Sequence, residues 1–223
     1  MVSMDEENER AKRDFITAFH DSAEERIKFL QKLFSDGYQD EAMTLCLSYI
    51  DSFSQWLEWP SSKAGQNFVN AVVKFGADSF MSLVHPLQAF RAFDRMAPCW
   101  QEIAKHINNI YSGPCYELLE ERDFLSRLAT HLSSDKLNKV KGEFWRTTVA
   151  GVAYFGMRNF AIHKFGASPL NFSNTTYQGH PVSGLDFHRL YKVVSNLHSE
   201  LRRRSETTGQ WFGNDDIIDS QDH

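Results

Sequence analysis

The sequence predicts an all-α protein, built as a helical bundle with a helical extension at its N-terminus. Three observations carry that prediction. Apolar residues recur at helical spacing through most of the chain, as in Phe15, Ile16, Phe19, Ile27, Leu30, Leu33 and Phe34. No long apolar/polar alternation of the β type occurs. The helical runs are separated by turn-forming clusters, including Ser35-Asp36-Gly37 and Ser112-Gly113-Pro114.

Taken in order, a first helix is expected from about Asp5 to Phe34, ended by Gly37. A second should cover Asp40 to Trp56. Its apolar residues, among them Met43, Cys46, Leu47, Ile50 and Phe53, fall on most of its sides, so it should be central. Pro60 breaks the chain, and a shorter helix follows from Gln66 to Phe75. Pro86 interrupts any helix spanning Phe80 to Phe93. Helices are expected again over Cys99–Tyr111 and Cys115–Leu132, with Ser133-Ser134-Asp135 as an N-cap region. The next helix should run from about Lys136 to Lys164, with Gly166 as its stop. Residues 166–184, rich in Gly, Ser, Asn, Thr and Pro, read as a long loop. A last helix is expected from Leu185 to Arg204, then an acidic tail. The organisation is thus 1–36 extension, 37–206 bundle and 207–223 flexible tail.

Bulk composition narrows the functional classes. The 223 residues suit one domain, with 18 Phe to fill its core. Three scattered cysteines without a C-x-x-C pair argue against a zinc ribbon or a dithiol redox motif, and point to a reducing compartment. The charged start, Met1-Val-Ser-Met-Asp-Glu-Glu, has no secretory character, and no apolar run approaches a membrane span. A cytoplasmic protein without membrane contact is expected. The net charge of -5 disfavours a nucleic-acid partner at first sight. Its distribution softens that conclusion. Residues 134–204 hold 11 Lys+Arg against 4 Asp+Glu, whereas residues 1–133 hold 13 against 20. Local charge governs attraction of phosphate, though a basic stretch is also an ordinary solvated helix face.

Within the basic third lies Arg158-Asn159-Phe160-Ala161-Ile162-His163. Asn159 and His163 are four apart and share a helical face. Arg158 is five residues from His163, about 140° away on a regular helix, so one helix cannot easily present both to one phosphate. His163 should lie about one turn before its helix end, where the dipole favours imidazolium. Asp51, on an otherwise apolar helix, needs a partner, and Arg158 or another base would serve. On residue type alone, an intrachain pair of Arg158 with Asp51 and a helix cap at His163 is the better account of these groups.

The R-N-x-x-x-H spacing resembles the motif of HEPN domains, a superfamily of small helical bundles. Cys46-Leu-Ser-Tyr-Ile-Asp51-Ser-Phe and Phe155-Gly-Met-Arg-Asn-Phe-Ala-Ile-His-Lys are similar to two helices of uncharacterised bacterial HEPN-like proteins. The resemblance covers the second helix to the last. It implies a HEPN-like bundle, and either of two functions. Many members are metal-independent endoribonucleases acting as homodimers, often in toxin–antitoxin or antiphage systems. Others are catalytically inactive and bind a nucleotide, RNA or a protein partner such as an antitoxin. On the first reading Arg158, Asn159 and His163 are catalytic. Histidine moves protons near neutral pH, and arginine holds phosphate in a fork that never loses its charge. Lys164 and Asp51 would support the site. No cofactor is implied.

Other candidates are weaker. Arg13-Asp14 with His20 has a looser motif spacing and reads as accidental. The remaining histidines form no metal-binding pattern, and His188 and His198, ten apart on one helix, read as surface residues. Trp56, Trp59, Trp100 and Trp145 read as core or interface. Trp211 and the Arg202-Arg203-Arg204 run have no assigned role.

Overall fold

A computed structural model describes residues 4–58, 63–113, 115–159 and 170–210. The Pro60 break, His163, Lys164, Gly166 and the tail with Trp211 lie outside the described residues. The protein is predominantly helical, an all-α fold. Among the described residues, no helix is long and apolar enough to cross a membrane.

The chain folds as two compact units. The first joins residues 1–77 to 190–223, and the second is residues 78–189. In the first unit, α1 (Met4–Ser35) and α2 (Gln39–Leu57) follow the expected bounds. The segment expected as an extension is an integral wall of this unit. Its buried residues Ile16, His20, Ile27 and Leu30 sit on one seam, at steps of four, seven and three. α1 ends in a Schellman arrangement. Tyr38 N donates to Leu33 O (3.1 Å) and Gly37 N to Phe34 O (3.2 Å). Gly37 takes the left-handed backbone that this cap requires, with φ +96. α2 is central, as its composition predicts, with Met43, Cys46, Leu47 and Ile50 fully buried. α3 (Ala64–Phe75) packs on it, and α9 (Phe187–Thr208) completes the unit from Leu190 onward. Asn196 Nδ2 donates to Gly76 O at 2.8 Å, fixing the end of α3 to α9.

The second unit departs more from expectation. Pro86 does not break a helix. It starts one, α4 (Pro86–Asp94), occupying the first turn where its missing N–H costs nothing. The interruption lies just before it, where Val84 is extended and bonds to Leu119 in both directions (2.8 and 3.0 Å). α5 (Gln101–Tyr111) is as expected, led in by a 3₁₀ turn from Pro98 to Trp100. The helix expected over Cys115–Leu132 begins only at α6 (Glu121–Ala129), because the preceding residues are recruited into a sheet. Tyr116 N donates to Asn174 O and Leu118 N to Thr176 O, both at 2.8 Å. β1 (Tyr116–Glu117) thus runs parallel to β3 (Thr175–Tyr177), which turns back into β4 (His180–Pro181). The turn at Gln178-Gly179 has φ 51 and 78, the backbone that a two-residue hairpin favours. β2 (Leu170–Asn171) pairs antiparallel with β5 (Gly184–Leu185). The described part of the expected long loop is therefore two small sheets.

The single helix expected from Lys136 to Lys164 is also broken. α7 (Ser134–Gly142) starts after Ser133 as anticipated, then gives way to a 3₁₀ turn, Phe144–Thr147. α8 (Val149–Val152) is short and passes into a wide π-type turn, Ala153–Arg158. The core of this unit lies between α4, α5 and α6, around Phe93, Ile103, Ile107, Phe124 and Leu128.

The two ends of the second unit are clamped together. Asp78 accepts from Phe80 N (3.1 Å) and from Arg189 Nη1 (2.9 Å), and that guanidinium lies 4.0 Å from the Phe80 ring centroid. Asp78 is the cap of its own turn and half of a half-buried ion pair. Asp78→Ala is expected to destabilise the second unit by about 2 kcal/mol. Urea unfolding compared with the wild type checks this. A cost near zero would mean that the clamp contributes nothing.

Candidate functional site

The motif segment is built from Thr148 upward. Thr148 is extended, and its Oγ1 accepts from Gly151 N at 3.1 Å, which starts α8. Gly151 is required by close approach. A Cβ there would overlap the Trp145 carbonyl oxygen and stand 2.8 Å from that of Arg146. The turn that follows, Ala153–Arg158, closes with i→i+5 spacing, which places one extra residue in the turn. That rotates the motif residues by roughly the 100° of one residue step relative to the face set by α8.

Arg158 and Asn159 end this turn side by side, and both are half-buried. Arg158 Nη1 donates to Asn159 Oδ1 at 3.0 Å, and its guanidinium lies 5.3 Å from the Tyr154 ring centroid. The structure thus brings together two of the motif residues. His163 and Lys164 fall outside the described residues. Asp51 belongs to α2 of the first unit, whereas Arg158 belongs to the second. In its own unit, Asp51 Oδ1 is 3.5 Å from Gln55 Nε2.

Beside the wide turn is a pocket of about 280 Å³. Phe155, Gly156, Gly151 and Val152 form one wall. Gln88, Arg91, Ala92, Arg95 and Met96 form the other, and Arg146 also lines it. Gln88, Arg91 and Ala92 of α4 and its C-cap Arg95 are spaced at three and four, so they share one helical face. Arg146 is held firmly. Its Nε donates to Glu143 Oε2 (2.6 Å), and its guanidinium lies 4.5 Å from the Trp145 ring centroid and 5.1 Å from that of Phe155. Arg91 and Arg95 are exposed, and within the described residues neither has an ion pair inside 4.0 Å. Sequence reading missed this trio. Arg91 and Arg95 lie in the acidic part of the chain, and only their four-residue spacing marks them.

The histidines are distributed differently from expectation. His198 is buried, not superficial, and packs on the equally buried His20, with Nδ1 of His20 3.3 Å from Nε2 of His198. Burial, the partner imidazole and Arg202 push His20 down to about 4. Burial and Arg202 also lower His198. His85 is buried beside β3, with Nε2 3.1 Å from Thr175 Oγ1, and burial pushes it down to about 4. His188 is exposed, as expected. Trp100 stacks on core Phe93 at 5.1 Å, and Trp56 packs on Phe53 at 5.8 Å, in keeping with scaffold roles. No group of three or more His, Cys, Asp or Glu able to hold a metal occurs among the described residues.

Compared with protein-family models, curated proteins and solved structures, the chain matches none.

Proposed function

We propose that this chain is a HEPN-type, metal-independent endoribonuclease acting as a homodimer through Arg158, Asn159 and His163. The observation that supports the reading is the pairing of the first two. The Arg158 guanidinium is oriented before any ligand arrives, by Asn159 Oδ1 at 3.0 Å and by the Tyr154 ring. A pre-oriented guanidinium serves to hold and polarise a phosphate as charge develops on it. His163 would take or give the proton at the ribose 2′-oxygen or the leaving 5′-oxygen. Asn159 would orient the guanidinium, and Lys164 would add a phosphate contact.

Dimerisation is part of the proposal because the resemblance implies it. A second copy would bring the complementary group. A role in toxin–antitoxin or antiphage defence, with an antitoxin-type protein partner, belongs to the same resemblance.

The test is RNA cleavage by the purified full chain in chelator, beside Arg158→Ala and His163→Ala. The expected result is cleavage leaving 2′,3′-cyclic phosphate ends, reduced at least about 100-fold in each variant. Unchanged activity in the variants would sink the assignment. RNA binding without cleavage by folded, dimeric wild type would support the second reading, an inactive RNA- or nucleotide-binding module.

A further inference from the structure

We propose that the pocket between α4 and the wide turn is a separate binding site for a phosphate monoester carried on an apolar or aromatic body. The inference goes beyond the ribonuclease reading and stands whether or not the motif cleaves RNA.

Charge is the first part of the argument. Three guanidiniums line a space of about 280 Å³. Arg146 is already neutralised by Glu143 at 2.6 Å. Arg91 and Arg95 have no ion pair within 4.0 Å among the described residues, so two positive charges remain for a ligand. A phosphate monoester carries about -1.5 to -2 at pH 7 and matches both. A carboxylate or a backbone phosphodiester brings one negative charge and leaves one guanidinium unmatched. Two forks one helical turn apart can grip different oxygens of one tetrahedral group.

Shape is the second part. The lining is not wholly polar. Met96, Val152 and Phe155 supply apolar surface, and Phe155 is 39% exposed despite its ring. Arg146 lies beside the packed rings of Trp145 and Phe155, whose centroids are 5.5 Å apart, so a flat ring laid against this wall meets aromatic carbon and a guanidinium together. Inorganic phosphate would use the arginines and leave this surface wet. An organic body attached to the phosphate would cover it. The pocket is walled on one side by α4 and on the other by the turn, and its volume of about 280 Å³ suits a small molecule or a chain end.

The probe is phenyl phosphate, titrated calorimetrically into the full chain beside phenol and inorganic phosphate. Phenyl phosphate is expected to bind about tenfold or more tightly than either fragment. Its affinity should fall with added salt, and fall again below about pH 6 as the phosphate takes up its second proton. Arg91→Gln with Arg95→Gln should weaken phenyl phosphate at least about tenfold. Their exposure predicts an unchanged melting point, which certifies the fold. Phe155→Ala should weaken phenyl phosphate and leave inorganic phosphate unaffected. Arg158→Gln should change affinity by less than about twofold, which separates this site from the motif. The proposal is overturned if folded wild type binds no phenyl phosphate at millimolar concentration, or if the double variant binds it as wild type does. It is equally overturned if Arg158→Gln alone abolishes binding, because the ligand would then sit on the motif.

Discussion

Gly151→Ala is expected to destabilise the second unit by about 3 kcal/mol and to lower its melting point by more than about 10 °C. An alanine at this position is ordinarily favourable in a helix. Here the added carbon would overlap the Trp145 carbonyl and press on the Arg146 carbonyl at 2.8 Å. Both neighbours are backbone atoms of a 3₁₀ turn, so no side chain can swing aside. Relief requires moving the whole turn, and with it the Thr148 cap that starts α8. The same displacement would shift Arg146 in the pocket. Gly156→Ala, five residues on, is the control. The nearest atom to a Cβ there is Val152 Cγ1 at 3.9 Å, an ordinary contact. That variant should melt within about 2 °C of wild type or above it. If both variants melt alike, the packing of α8 on the 3₁₀ turn is not what makes glycine necessary.

Acid should weaken both units well above the range in which carboxylates titrate. His20 in the first unit and His85 in the second are neutral when folded, because burial holds each at about 4 instead of 6.5. Below 6.5 the unfolded chain takes up protons that the folded chain refuses until about 4. The unfolded state binds more protons in that window, so stability falls as pH falls through it. Each site costs as much as about 3 kcal/mol by the bottom of the window. The groups around the His20–His198 pair do not cancel this. Arg202 of α9 opposes protonation, while Asp21 of α1 and Glu206 of α9 favour it less strongly. Phe53 of α2 offers His198 only a ring, at 5.7 Å. Carboxylates act later. Glu200, hydrogen-bonded by Arg203 and Arg204, is held at about 2, so its stabilising contribution persists above 4.5 and is lost only on descent toward 2.

Melting points followed by circular dichroism from neutral pH down to about 5 therefore isolate the histidines. His20→Leu with His198→Leu should flatten the pH dependence of the first unit, since two apolar groups replace a buried polar pair of similar size. His85→Leu should do the same for the second unit. A double variant whose melting point tracks wild type across the window would show that the pair is not charged in the unfolding transition.

The sequence by itself determined the elements whose reasons are local. α1, α2, α3, α5 and α9 emerge close to their expected bounds. Each carries an apolar seam long enough to define a face, and each stop has its own chemistry, such as the Gly37 cap. Tertiary structure decided everything that depends on distant partners. Residues 116–118 are extended because their amides find acceptors at 174 and 176, a pairing no local pattern reveals. The long helix expected from Lys136 is broken because its middle must cap on Thr148 and pass under the Trp145 carbonyl. His20 occupies a seam position that should have marked it as buried. Its partner, His198, lies 178 residues away, and helical spacing alone could not join them. The arginine pocket has the same origin. Arg91 and Arg95 are isolated surface charges until α4 is laid against a wide turn more than fifty residues downstream, and only that packing gives two like charges a common space. Periodicity encodes which face a helix buries, but not what it is buried against. A site assembled from two elements is specified by that second fact.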